Sequence, residues 1–131
     1  MPLMLTATCQ FGRFDNPNQV SGAELSILNP KGGAIGLLTT TRPVYQNTNY
    51  VINKAFYEAV FKPINGKMPR LGDVMIYTKN NSFEDVINRN FSLLGDPSMR
   101  LNYPENEIVI PKINGKSTSK TDTLKALNKV V

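Results

Sequence analysis

The side chain best equipped for chemistry stands near the start of the chain. In Leu3-Met4-Leu5-Thr6-Ala7-Thr8-Cys9-Gln10-Phe11-Gly12-Arg13-Phe14 a short apolar run ends at the sequence's only cysteine, and polar and glycine residues follow at once. A side chain at the carboxyl end of a buried strand is aimed at the crevice where open α/β sheets bind ligands. A thiolate there is a nucleophile if it is reachable and its charge is stabilised. The competing reading is packing, since free cysteines often behave as small buried hydrophobes.

Other chemistries are narrowed by what the sequence lacks. There is no histidine among the 131 residues, so a Ser-His-Asp triad, a Cys-His dyad and a histidine-based zinc site are all impossible within this chain alone. No cofactor and no metal site is read from the residues. Lys31-Gly32-Gly33-Ala34-Ile35-Gly36 lacks the spacing of a phosphate loop and precedes a strand instead of opening a helix, so it reads as turn chemistry. In Gly95-Asp96-Pro97 the proline drives Asp96 to extended geometry, and its carboxylate reads as a local turn cap. Asp15 and Glu24 make a poor acid/base pair, because Glu24 belongs to a capping box.

These residues must be positioned by a simple alternation of elements. Leu3–Cys9 reads as a strand. Ser21-Gly22-Ala23-Glu24 fits the capping-box pattern, predicting a two-turn helix with Ala23, Ile27 and Leu28 inward and Asn29-Pro30-Lys31-Gly32-Gly33 as its stop. Residues 34–41 are apolar on both faces, as befits a central strand covered by helices. Strand, helix, strand is a βαβ unit, and it brings residues 39–42 out at the same sheet edge as Cys9. The next helix is capped by Asn47 or Asn49 and faces inward with Ile52, Ala55, Phe56, Ala59 and Val60. A third helix is expected over 71–79, a polar and insertion-like stretch over 80–90, a strand over 91–94 and a further short strand over 108–110. The helical spacing of Leu124, Leu127 and Val131 leaves helix and strand undecided.

The length, with 40% hydrophobic and 19% charged residues, suits one ordinary folded domain. No run approaches the roughly 18–20 apolar residues of a membrane span, and no secretory leader is legible. The net charge of +5 is concentrated at the end: residues 112–131 hold five lysines against Asp122 alone, whereas residues 1–111 hold ten cations against nine acids. Spaced lysines without aromatic residues among them read as solvated surface, so no nucleic-acid partner is expected.

Three blocks carry a family likeness, in order: Thr6–Asp15, Gly32–Arg42 and Asn90–Leu101. Together they resemble the second half of gingipain-type cysteine peptidases, most of all the sortases of the type IX secretion system of Bacteroidetes. The resemblance implies an α/β fold: a three-layer α/β/α caspase-like sandwich, here partial, with a mainly parallel sheet. It implies that residues 1–104 are the C-terminal part of the peptidase domain and that 105–131 are a linker and the opening of a β-sandwich domain. Cys9 corresponds to the nucleophile, with its backbone N–H contributing to the oxyanion hole. Thr40, Thr41 and Arg42 match a loop that shapes the substrate pocket.

In the family the catalytic histidine lies upstream, at the end of the preceding strand. The expectation is therefore that this chain is part of a longer cell-surface enzyme, inactive alone, whose partners are protein substrates bearing C-terminal signal domains and the upstream half of its own domain. A half sheet leaves an open edge, so self-association is also expected. Two other classes compete: a non-catalytic α/β interaction module in which Cys9 is buried packing and, third, a nucleic-acid binder.

Overall fold

The computed structural model describes residues 1–106, 108–113 and 115–118, and the chain divides into two compact units, Met1–Leu101 and Asn102–Val131. The first unit holds a three-stranded sheet of order β1-β2-β3, with β1 at Leu3–Leu5, β2 at Gly36–Thr40 and β3 at Phe91–Gly95. The helices are α1 (Gly22–Ile27), α2 (Gln46–Val60) and α3 (Leu71–Asn80), and a 3₁₀ turn over Val86–Asn90 leads into β3.

The period of two along the strands sorts their side chains to two faces. Leu3, Leu5, Leu38 and Phe91 pack with Ile52, Phe56, Ala59 and Val60 of α2 and Val74 of α3. Met4, Leu37 and Leu94 pack on the other side with Ala23 and Ile27 of α1, Phe11 and Ala34. The result is an α/β/α arrangement, and every residue of β2 is buried because it is the only strand flanked on both edges and both faces. The α2 positions expected to face inward are all buried. On α1, Ala23 is buried but Leu28 is 72% exposed, because the helix ends at Ile27 and Leu28 is already its cap.

β1 and β2 run parallel in the register Leu3↔Gly36 to Leu5↔Leu38, whereas β3 is antiparallel to β2, from Gly36↔Gly95 to Thr40↔Phe91. The sheet is therefore half parallel. Burial patterns fix which face a residue occupies but not which way the strand runs. At Gly95, with φ of +134°, an added Cβ would lie 2.9 Å from Gly36 Cα, so the two strands meet there glycine to glycine.

The capping box at α1 is formed as its residues dictate: Ser21 N–H donates to Glu24 Oε2 at 2.8 Å and Glu24 N–H to Ser21 Oγ at 3.3 Å. α2 departs from expectation, starting after Tyr45 with no side-chain cap; Asn47 Oδ1 accepts instead from Thr48 N–H within the helix. α3 begins with a charged counterpart of the box, in which Asp73 accepts from the Arg70 backbone N–H and from its guanidinium Nε and Nη2. The polar stretch 80–90 is stitched in place by Asn88, whose Nδ2 lies 3.0 Å from Lys79 O and 2.8 Å from Phe83 O.

Those bonds make acid sensitivity predictable. Hydrogen bonding by the Arg70 side chain and backbone pulls the Asp73 carboxyl down to about 2, and Asp15, Glu24 and Asp96 are also held below their ordinary range by hydrogen bonds. A carboxyl depressed on folding stabilises the fold above its unfolded pKa, near 3.9 for aspartate, and that contribution is lost as pH falls toward the folded value. With no histidine to titrate, urea midpoints are expected to be level between pH 7 and 5 and to fall below about pH 4. Asp73→Asn is expected to reduce the acid fall; an unchanged profile would contradict the assignment.

In the second unit Ile108, Val109 and Ile110 lie outside any strand and are exposed. Pro111, which has no N–H to give to a ladder, follows them. Pairing starts instead at β4 (Lys112–Ile113), which forms a hairpin with β5 (Lys116–Ser117) in the register Lys112↔Ser117. Leu124, Leu127 and Val131 lie outside the described residues.

Candidate active site

The ladder between β1 and β2 continues one residue past the strand, with Thr6 N–H donating to Leu38 O at 3.0 Å, and then the chain leaves the sheet. Cys9 consequently sits in a loop four residues beyond Leu5, not on the strand itself. It is exposed, so it is not core packing, and the reading of Cys9 as a buried structural residue is overturned. Beyond the Thr6–Leu38 bond the ties of Thr6 and Thr8 to β2 run through side-chain hydroxyls. Thr6 Oγ1 donates to Thr39 Oγ1 at 2.8 Å, and Thr40 Oγ1 donates to the Thr8 carbonyl.

The loop is fixed on both sides of the thiol. Gly12 N–H donates to Thr40 O at 2.9 Å, and the absence of a Cβ lets the backbone lie against the buried Thr39 side chain. Phe11 O accepts from Ala23 N–H at 3.1 Å, which ties the loop to α1. Between these anchors Gln10 adopts φ of +59°, a left-handed conformation that costs a non-glycine residue energy and is found most often where a site demands it. Cys9 Sγ lies 3.4 Å from the carbonyl oxygen of Val44, just ahead of α2. The Cys9 and Gln10 backbone N–H groups donate to no group among the described residues.

Of the residues matched to the pocket loop, Thr40 and Arg42 are brought to the Cys9 loop and Thr41 is not. Thr40 is fully buried, and its hydroxyl is spent on Thr8, so its side chain positions the cysteine loop from beneath. Arg42 grips Asp15 through both terminal nitrogens and also donates Nη1–H to Thr41 O at 2.8 Å. That pairing lowers the Asp15 carboxyl and raises the Arg42 guanidinium. Thr41 turns the other way, with its N–H 2.8 Å and its hydroxyl 3.2 Å from Asn90 O. Asp96 is a turn cap, its Oδ1 accepting from Ser98 N–H at 2.8 Å and Ser98 Oγ at 2.7 Å.

Arg13 was legible only as a member of a family block, yet it lines a cavity of about 410 Å³ that Gln10 also lines. A cation in a polar loop gives no local signal of burial. Among the described residues no cluster of histidine, cysteine, aspartate or glutamate could hold a metal ion.

A reachable thiol past the end of the first strand of an α/β/α unit, flanked by backbone N–H groups with no acceptor among the described residues, is the equipment of acyl-transfer chemistry by a cysteine nucleophile. The profile of peptidase family C25 matches residues 1–102, and the chain belongs to that family, the gingipain-type cysteine peptidases. No curated protein and no solved structure matches the chain significantly.

Proposed function

We propose that Cys9 is the nucleophile of a cell-surface cysteine endopeptidase of sortase type, which removes C-terminal signal domains from proteins exported by the type IX secretion system. The exposure of Cys9 on a loop held by four bonds, two to Thr40 and one each to Ala23 and Val44, is the observation that carries the reading. In the reaction the thiolate attacks the scissile carbonyl carbon, and charge collects on the carbonyl oxygen near the Cys9 N–H. The C–N bond then breaks, the departing amine takes a proton, and the thioester passes its acyl group to water or to an amine acceptor.

The proton steps need a general base; the sequence holds no histidine, and Asp15, the carboxylate tied to this loop, is committed to Arg42. The proposal assigns that role to a histidine on a strand outside these residues; β1, at the edge of the sheet, offers the place for such a strand. Arg42 and Thr40 serve by fixing the loop.

Incubating the 131-residue chain with unstructured peptides is expected to give no turnover above that of Cys9→Ala. Sustained Cys9-dependent cleavage by the chain alone would show that the proton partner is already among these residues.

A further inference from the structure

Arg13 carries unanswered bonding potential, and it is the one cation among the described residues with a buried unpaired donor. Its Nε is buried and has no hydrogen-bond partner. Buried donors of this kind are normally paired, so an orphan one calls for a reason. Arg13 is the only ionisable residue lining the 410 Å³ cavity, whose walls include Gln10, Phe11, Asn16, Gln19 and Ser21. The carboxylates in the neighbourhood are already engaged, Asp15 by Arg42 and Glu24 by the Ser21 N–H. Arg70 shows what an arginine edge takes when it is satisfied: its Nε and Nη2 each lie 2.9 Å from a separate oxygen of Asp73. Arg13 acts on Asp15 only through its field, with no hydrogen bond to a carboxylate among the described residues.

We propose that this cavity is a substrate subsite in which Arg13 binds the side-chain carboxylate of an aspartate or glutamate near the scissile bond, through its terminal Nη–H groups. Gln10 joins the subsite to the nucleophile, because it follows Cys9 directly, takes the left-handed turn and lines the cavity. Phe11 offers apolar surface to the ligand's methylene carbons, and the amides of Asn16 and Gln19 offer further donors. A two-pronged, charge-assisted pair sheltered from water discriminates against an amide of the same shape, which keeps one acceptor and loses the charge. The place of this subsite in the reaction rests on Cys9 being the nucleophile; the carboxylate site itself rests on Arg13.

Two measurements on the 131-residue chain test it separately from the nucleophile assignment. In the first, the Arg13 side-chain Nε–H signal is followed by NMR during titration with capped Ala-Asp-Ala or Ala-Asn-Ala. The aspartate peptide is expected to shift the signal saturably and the asparagine peptide is not. In the second, Cys9 is alkylated by tripeptidyl chloromethyl ketones carrying aspartate or asparagine at each position in turn. At one position aspartate is expected to react about tenfold faster. That ratio is expected to fall to about one in Arg13→Gln, with Arg13→Lys recovering it only partly because an ammonium lacks the fork. A ratio reads out correctly even if the variant is less stable. An Nε–H signal indifferent to the aspartate peptide, or an aspartate preference that survives in Arg13→Gln, overturns the subsite. If the signal shifts but Cys9 resists every reagent, iodoacetamide included, the carboxylate site stands and the nucleophile assignment fails.

Discussion

Gly12→Ala is expected to destabilise the domain by about 1–3 kcal/mol and to spoil the geometry around Cys9 as it does so. A Cβ at this position would enter the side chain of Thr39, meeting its methyl group and lying 2.9 Å from its Oγ1. Thr39 has nowhere to go, because it is fully buried on the central strand and its hydroxyl accepts from Thr6. The backbone cannot easily lift either, since Gly12 N–H is bonded to Thr40 O. Relief therefore requires the 9–13 loop to move away from β2, which would pull Thr8 from the Thr40 hydroxyl and shift the thiol. Urea unfolding of wild type and variant checks the stability. A midpoint unchanged within error would show that Gly12 does not make this close approach.

Cys9→Ala is the substitution with the largest expected effect on activity and one of the smallest on stability. In the peptidase assembled with its proton partner, turnover is expected to fall by a factor of at least about 10⁴, since removal of a covalent nucleophile leaves only binding and oxyanion stabilisation. No second cysteine exists to substitute for it. Stability is expected to change by less than about 0.5 kcal/mol, because the side chain is exposed and its hydrogen bond to Val44 O is a weak one from sulfur. A variant that loses activity together with several kilocalories of stability would point to a structural cysteine.

The sequence displayed some of these features openly and concealed others for physical reasons. Local signals were reliable where the interaction is itself local: Ser21 and Glu24 bond each other across one turn, and the spacing of Ile52, Ala55, Phe56, Ala59 and Val60 reports one helix face. β2 could be recognised because burial on every side demands an unbroken apolar run. The antiparallel direction of β3 was hidden, as strand direction leaves no trace in side-chain alternation. The strand expected to reach Cys9 stops short of it: after the Thr6–Leu38 ladder bond, the ties of this segment to β2 run through the Thr39 and Thr40 hydroxyls, more than thirty positions away. Asn47 and Asn49 have the side chains of caps, but tertiary packing of the helix set its start at Gln46, two or four residues earlier than propensity indicated. At the candidate site, Cys9 stands out by its position after an apolar run, and Thr40 and Arg42 by family resemblance. The pairing of Arg42 with Asp15 and the orphan Nε of Arg13 needed the folded chain, because each depends on which loops meet.

The measurement that bears most directly on Cys9 as an accessible nucleophile is its rate of alkylation by iodoacetamide in the native chain, compared with the same chain unfolded in urea at equal pH. A native rate within about tenfold of the unfolded one is expected for a thiol that stands open on its loop. Protection by more than about a hundredfold, relieved only by unfolding, would place Cys9 in the interior and contradict its assignment as the nucleophile.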